Sequence, residues 1–203
     1  MAIKFQYNKT SLQQLNKQLK VRMNALPTIK SKESALRLEV KKAKDELFEI
    51  KTNYHHLIRD CDYMVKLWNE FDSSLLTIEH VDFETKKIAG VIVPVFKNIS
   101  FSEKAYSYFN SPVWISDGIS LLKEIATAGI KIEIIEMKLE RLEYARKKTT
   151  QKVNLFEKVQ IPGYNEAIIK IKRYLEDEDS LSKSSQKIML ANLEKNKRKE
   201  VVV

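Results

Sequence analysis

Stepping alternately by three and four residues from Leu12 reaches Leu15, Leu19, Arg22, Leu26, Ile29, Glu33, Leu36, Val40, Ala43, Leu47, Ile50, Tyr54, Leu57, Cys61, Met64, Trp68, Phe71 and Leu75. Seventeen of these 19 positions are apolar, so the period is not an accident of composition. A 3.5-residue period held this long is the mark of a left-handed coiled-coil seam. It predicts one long helix, ~95 Å end to end at 1.5 Å per residue. A compact chain of this size is about half that across. The helix therefore projects and needs a partner along its length.

A second stretch supplies the partner. Trp114, Leu121, Ile125, Ala128, Ile132, Ile135, Leu139 and Leu142 repeat the spacing. The seam weakens through Arg146, Thr149, Val153 and Phe156, then resumes less regularly at Ile168, Ile171 and Leu175. Ser111 as N-cap with Pro112 at the first helical position is a suitable start. Between the helices, residues 76–81 and 88–93 are β-rich, and the polar link 82–87 suits a hairpin loop. Pro94 ends the second strand or places it on an edge, and residues 101–109 suit a short helix. The expected fold is all-α dominated: a long antiparallel two-helix coiled coil with a small middle head containing a β-hairpin and a short helix. Its parts are an N-terminal helix over 1–75, a head over 76–113 and a C-terminal helix over 114–203.

If Leu75 lies near Trp114, the antiparallel register sets Pro27 opposite Pro162. These are the only prolines outside the head, and an interior proline kinks a helix. The expectation is a matched kink about two-thirds of the way out from the head; the alternative is that each proline merely frays the distal end.

Composition agrees. In 203 residues there are 4 Gly and 4 Pro, too few for the turns of a β-sandwich or the tight βα turns of a doubly wound sheet. The net charge is +9. Residues 1–44 hold 11 basic and 2 acidic side chains, so the excess belongs mainly to one end. Such a face suggests an acidic partner. Cys61 is the sole cysteine, which excludes an intrachain disulfide and suits a cytoplasmic protein. The longest apolar run, residues 88–96, is far short of a bilayer span, and the N-terminus has no apolar signal-peptide core. A cytoplasmic chain without direct membrane insertion is expected.

Candidate chemistry is sparse. There is no phosphate-binding GxxxxGK[ST] or GxGxxG loop. Three histidines and one cysteine cannot build a usual zinc site. The run Glu176-Asp-Glu-Asp179 reads as a solvated helix face. No catalytic residue, cofactor or metal is expected. Nucleic acid is disfavoured, because the N-terminal Lys and Arg are scattered around the helix without interleaved aromatics. Arg22 and Glu33, the two polar seam positions, read first as register-setting residues, with contact to a surrounding protein as the alternative.

Particular segments carry a family resemblance. Lys152-Val-Asn-Leu-Phe-Glu-Lys-Val-Gln-Ile-Pro162, then Ile168 and Ile171-Lys-Arg-Tyr-Leu-Glu-Asp177, resembles the VNALE…IP segment and following amphipathic helix of the D subunit of V-type/A-type ATPases. Ile88-Ala-Gly-Val-Ile-Val-Pro94 is similar to that family's MGVxxP segment, and Asn8-Lys-Thr-Ser-Leu12 with Leu15, Leu19 and Leu26 to its opening. Pro27 and Glu33 depart from the pattern.

The resemblance implies a central-stalk rotor component that couples H⁺ or Na⁺ movement to ATP hydrolysis or synthesis without catalysing either. Its implied partners are the catalytic and regulatory A and B subunits of the ring, the small F subunit of the stalk and the component capping the membrane ring. The complex would be peripheral to the membrane. Lys17, Lys20, Arg22, Lys30 and Lys32 are the expected ring contacts. Ile88, Val91, Val93 and Phe96 are the expected head contacts. Leu36, Val40, Leu47, Ile50, Leu57, Met64, Trp68, Leu121, Ile125, Ile132, Ile135, Leu139 and Leu142 form the expected seam. The alternative is a non-rotary coiled-coil spacer or adaptor, which explains the heptads but not the three ordered motifs.

Overall fold

The computed structural model describes residues 3–106 and 112–200, with side chains through residue 194. Helix α1 spans Lys9–Asp60. Asn8 starts it, its Oδ1 accepting the Ser11 N–H at 2.6 Å, as an N-cap side chain does. Two strands follow, β1 over Leu76–Ile88 and β2 over Val91–Glu103. Helix α2 spans Trp114–Asn154, a π-helical turn occupies Leu155–Gln160, and α3 spans Ile161–Glu200. The architecture is a coiled coil of long helices with a two-stranded antiparallel hairpin between them.

All 19 N-terminal seam positions are buried or half-buried. The single helix expected to reach Leu75 nonetheless ends at Asp60. There the Cys61 N–H is shared between the carbonyls of Leu57 (3.2 Å) and Ile58 (3.0 Å), a tightening from α to 3₁₀ geometry. Asp60, Cys61 and Asp62 are all weak helix formers. Three 3₁₀ turns follow, at Asp62–Met64, Leu67–Glu70 and Ser73–Leu75. They bring Trp68 and Phe71 onto Trp114, with ring centroids 5.7 and 6.3 Å away. Gly118 makes room for this cluster: a Cβ there would lie 3.2 Å from the Trp114 ring and 3.4 Å from Trp68.

Helix α2 starts at Trp114, two residues after the start at Pro112 that the Ser111–Pro112 capping pair suggests. Pro112 precedes the helix and its carbonyl accepts the Ile115 N–H at 3.2 Å. Ser111 lies outside the described residues.

The hairpin is longer than its sequence suggests. Residues 82–87, expected as a loop, lie within β1, and the connection is Ala89-Gly90 alone. Both have positive φ, 47° and 81°, the requirement of a two-residue type I′ turn. A two-stranded ribbon leaves much of both faces wet, so polar residues need not break it. The helix expected over 101–109 is also corrected: residues 101–103 end β2, and 107–111 lie outside the described residues. Pro94 sits inside β2 opposite Thr85, which a ribbon with only edge strands permits. Glu79 and Lys97 are unpaired bulge residues on opposite strands, so the register displaced by one is restored by the other.

Contacts divide the chain into two compact units, residues 31–149 and residues 1–30 with 150–203. In the first, Leu36, Val40, Ala43, Val93 and Leu142 form the core, flanked by Ile88, Ala89, Val91, Leu139 and Ala145. Lys44–Glu143 (2.6 Å) and Lys51–Glu136 (2.7 Å) establish antiparallel pairing there. In the second unit, Leu15, Tyr164, Ala167, Ile168 and Ile171 form the core, with Ile3, Phe5, Leu12, Leu19 and Leu175 packed against it. Lys30–Glu157 and Arg22–Gln160 bracket Pro27, so the π turn stands opposite it and Pro162 lies just beyond. Helix α1 runs through Pro27. The π turn precedes Pro162, whose ring would collide with the carbonyl four residues back in a tight α turn. A wider turn moves that carbonyl aside.

Candidate functional site

In the unit of residues 1–30 and 150–203, the cationic side chains take different roles. Lys17 and Lys20 are exposed. Lys30 is paired with Glu157 at 2.7 Å. Arg22 is half-buried on the seam, where its Nε donates to Gln160 Oε1 at 2.7 Å and its guanidinium lies 4.6 Å from the Tyr164 ring centroid. Tyr164 Oη in turn donates to Gln18 Oε1 at 2.7 Å. This short chain of partners satisfies a charge that would otherwise be costly on a seam.

In the unit of residues 31–149, Glu33 accepts from Arg37 at 2.9 Å. Exposed Lys32 reaches the hairpin tip, its Nζ 3.4 Å from where a Cβ on Gly90 would stand. Arg146 occupies a seam position, and its Nε is buried without a hydrogen-bond partner.

The head residues singled out from the sequence face inward. Val93 is fully buried against Leu36, Val40 and Leu142, with Ile88 and Val91 beside it. Phe96 is half-buried beneath Lys131, whose Nζ is 5.3 Å from the ring centroid. The outward apolar side chains of the ribbon are Ile78, Phe83 and Ile92, each at least half exposed. Alternation alone did not select them, because a ribbon with bulges changes which positions share a face.

Two shallow grooves adjoin along this unit, sharing Ile50 and Lys131. One, of about 440 Å³, is lined by Ile50, Leu57, Thr127 and Ala128 with charged Lys123 and Glu124 at its edge. The other, of about 270 Å³, lies beside Pro94, Val95 and Phe96. Ile50, Leu57 and Ala128 were legible as seam residues, but not their incomplete cover. Among the described residues, no group of three or more His, Cys, Asp or Glu side chains is gathered to hold a metal. No helix there is long and apolar enough to cross a membrane.

These features define a coiled coil of long helices with a small two-stranded β-hairpin between them. The family model of the ATP synthase D subunit matches residues 11–191. The chain belongs to that family. The V-type ATP synthase D subunit of Borreliella burgdorferi is 29% identical over 199 residues, covering 96% of this chain and 98% of the relative. That of Chlamydia abortus is 32% identical over 157 residues, covering 75% of this chain and 76% of the relative. That of Chlamydia pneumoniae is 27% identical over 183 residues, covering 87% of each.

Proposed function

We propose that this chain is the central rotor shaft of a V-type/A-type ATPase, transmitting rotation between a membrane ring and a catalytic ring without binding nucleotide. The observation that carries the reading is the family match along nearly the whole chain, on a molecule whose heptad seam is closed by its own helices. Torque transmission needs a stiff member, and helices packed along a continuous seam supply stiffness that loops would not. A homodimeric spacer is less well supported, since α1 already buries Leu15, Leu36, Val40 and Ala43 of its seam against the chain's own C-terminal segment.

In this reading the termini enter the ring of A and B subunits, with exposed Lys17 and Lys20 facing acidic groups there. Arg22 and Lys30 serve mainly to hold the shaft together, and Lys32 stands at the hairpin tip. The exposed apolar residues Leu181, Ile188, Met189, Leu190 and Leu193 add a sticky terminal face. The head and the Ile50–Lys131 groove receive the small F subunit and the component capping the membrane ring, with Ile78, Phe83 and Ile92 as outward contacts. The working complex is cytoplasmic and peripheral to the membrane.

The test is a pull-down of the tagged chain from the native membrane fraction. Recovery of the ATPase ring proteins is expected. Recovery of the chain only as a homodimer, with no ATPase component, would reject the rotor in favour of a spacer.

A further inference from the structure

The buried positions of the C-terminal segment change phase once. From Leu142, the alternating spacing reaches Arg146, Thr149, Val153, Phe156 and Gln160, all half-buried. Continued, it would reach Gly163, Ala167, Lys170 and Tyr174. Of these Gly163 is half-buried and the small Ala167 is buried, but Lys170 and Tyr174 are exposed. The side chains that close the seam are Tyr164, Ile168, Ile171 and Leu175, each one position later, with Ala167 of the unshifted phase buried beside Ile168. This segment therefore carries one residue more than the heptad repeat allows. In an unbroken α-helix one residue turns the chain by about 100°, which would swing the set off the seam. A surplus residue can be spread over several turns by unwinding or held in one wide turn.

The wide turn is present where the phase changes. Leu155–Gln160 is π-helical, and the Ile161 N–H donates to the Phe156 carbonyl five residues back. A turn bonded this way holds one residue more than an α turn. It is tied to α1 along its length. Lys30 reaches Glu157 within the turn, Arg22 reaches Gln160 at its end, and Gln18 reaches Tyr164 one turn later.

We infer that the π turn is a register key: it stores the single surplus residue of the C-terminal segment, and so holds Tyr164, Ile168, Ile171 and Leu175 on the seam beneath Arg22. It is a fixed element rather than a slip point. Conversion to plain α-helix would replace Tyr164, Ile171 and Leu175 on the seam by Gly163, Lys170 and Tyr174. That exchange removes apolar burial and brings in a lysine. The stored residue is accordingly dispensable for packing, whereas a residue lost elsewhere along the helix is not.

The experiment compares single-residue deletions in the full chain by circular-dichroism melting. The variants remove Val159, partly exposed within the π turn, or Glu140, exposed in α2. A third combines deletion of Val159 with Pro162→Ala, because without the π turn the proline would meet an α turn. The combined variant is expected to keep wild-type helicity and to melt within about 3 °C of wild type. Deletion of Glu140 displaces the seam on one side of the break, and is expected to lower melting by about 10 °C or more. Inserting one Ala after Val159 should behave like the Glu140 deletion. If the combined variant melts nearer the Glu140 deletion than the wild type, no residue is stored and the inference fails.

Discussion

The Arg22 guanidinium lies over the Tyr164 ring, 4.6 Å from its centroid, while its Nε donates to Gln160 at 2.7 Å. A polar seam residue is thus held by stacking and by a hydrogen bond from the opposite segment. Arg22→Ala should cost about 1–3 kcal/mol, and Arg22→Lys should recover little because lysine lacks the planar fork. Urea melts of the three proteins check this; full recovery by lysine would reduce Arg22 to a simple charge.

Leu142 is fully buried in the core shared with Leu36, Val40 and Val93. Leu142→Ala is expected to cost about 3–5 kcal/mol, through lost transfer energy and the cavity left behind. Chemical denaturation measures it. A loss below about 1 kcal/mol would mean that the seam readily collapses around the gap.

Ala89 holds φ 47° in the two-residue turn, a region where a Cβ is strained. Ala89→Gly should raise stability by up to about 1 kcal/mol, reduced by the lost methyl contact and by greater freedom in the unfolded chain. Faster exchange of the β1–β2 amides in the glycine variant would contradict this.

Cys61 is buried, and its Sγ lies 2.8 Å from the Leu57 carbonyl. Burial pushes the thiol pKa up, and the neighbouring carboxylates of Asp60 and Asp62 push it further. The unfolded thiol ionises at lower pH than the folded one. This group's contribution is therefore neutral below the unfolded pKa, and turns against folding as pH rises past it. Cys61→Ser should remove part of the alkaline decline in stability. Iodoacetamide should label native Cys61 far more slowly than urea-unfolded Cys61, and equal rates at pH 8 would refute the shielding.

The coiled coil was legible in the sequence because a 3.5-residue period is a local property written on every turn. From Leu12 to Leu75 the repeat named the buried side chains, even where the backbone leaves the α-helix after Asp60. It did not report that exit, because 3₁₀ turns can still place Met64, Trp68 and Leu75 inward. The hairpin was legible in outline only. Lys86, Lys87 and Glu84 look like a loop, yet each pairs in a ribbon whose wet faces tolerate charge. Val93 and Ile88 read as partner contacts, whereas the tertiary structure turns them onto the chain's own core.

The sequence by itself determined the helices, the seam, the absence of a nucleotide loop and the family resemblance, since each is set by residue identity at short spacing. The tertiary structure decided which ribbon face is outward, how Arg22 is satisfied and where the broken phase after Phe156 is absorbed. Those depend on residues far apart in the sequence, such as Val93 and Leu142 or Arg22 and Gln160. A local period cannot encode them. They are settled only when two segments compete to keep the same apolar stripe out of water.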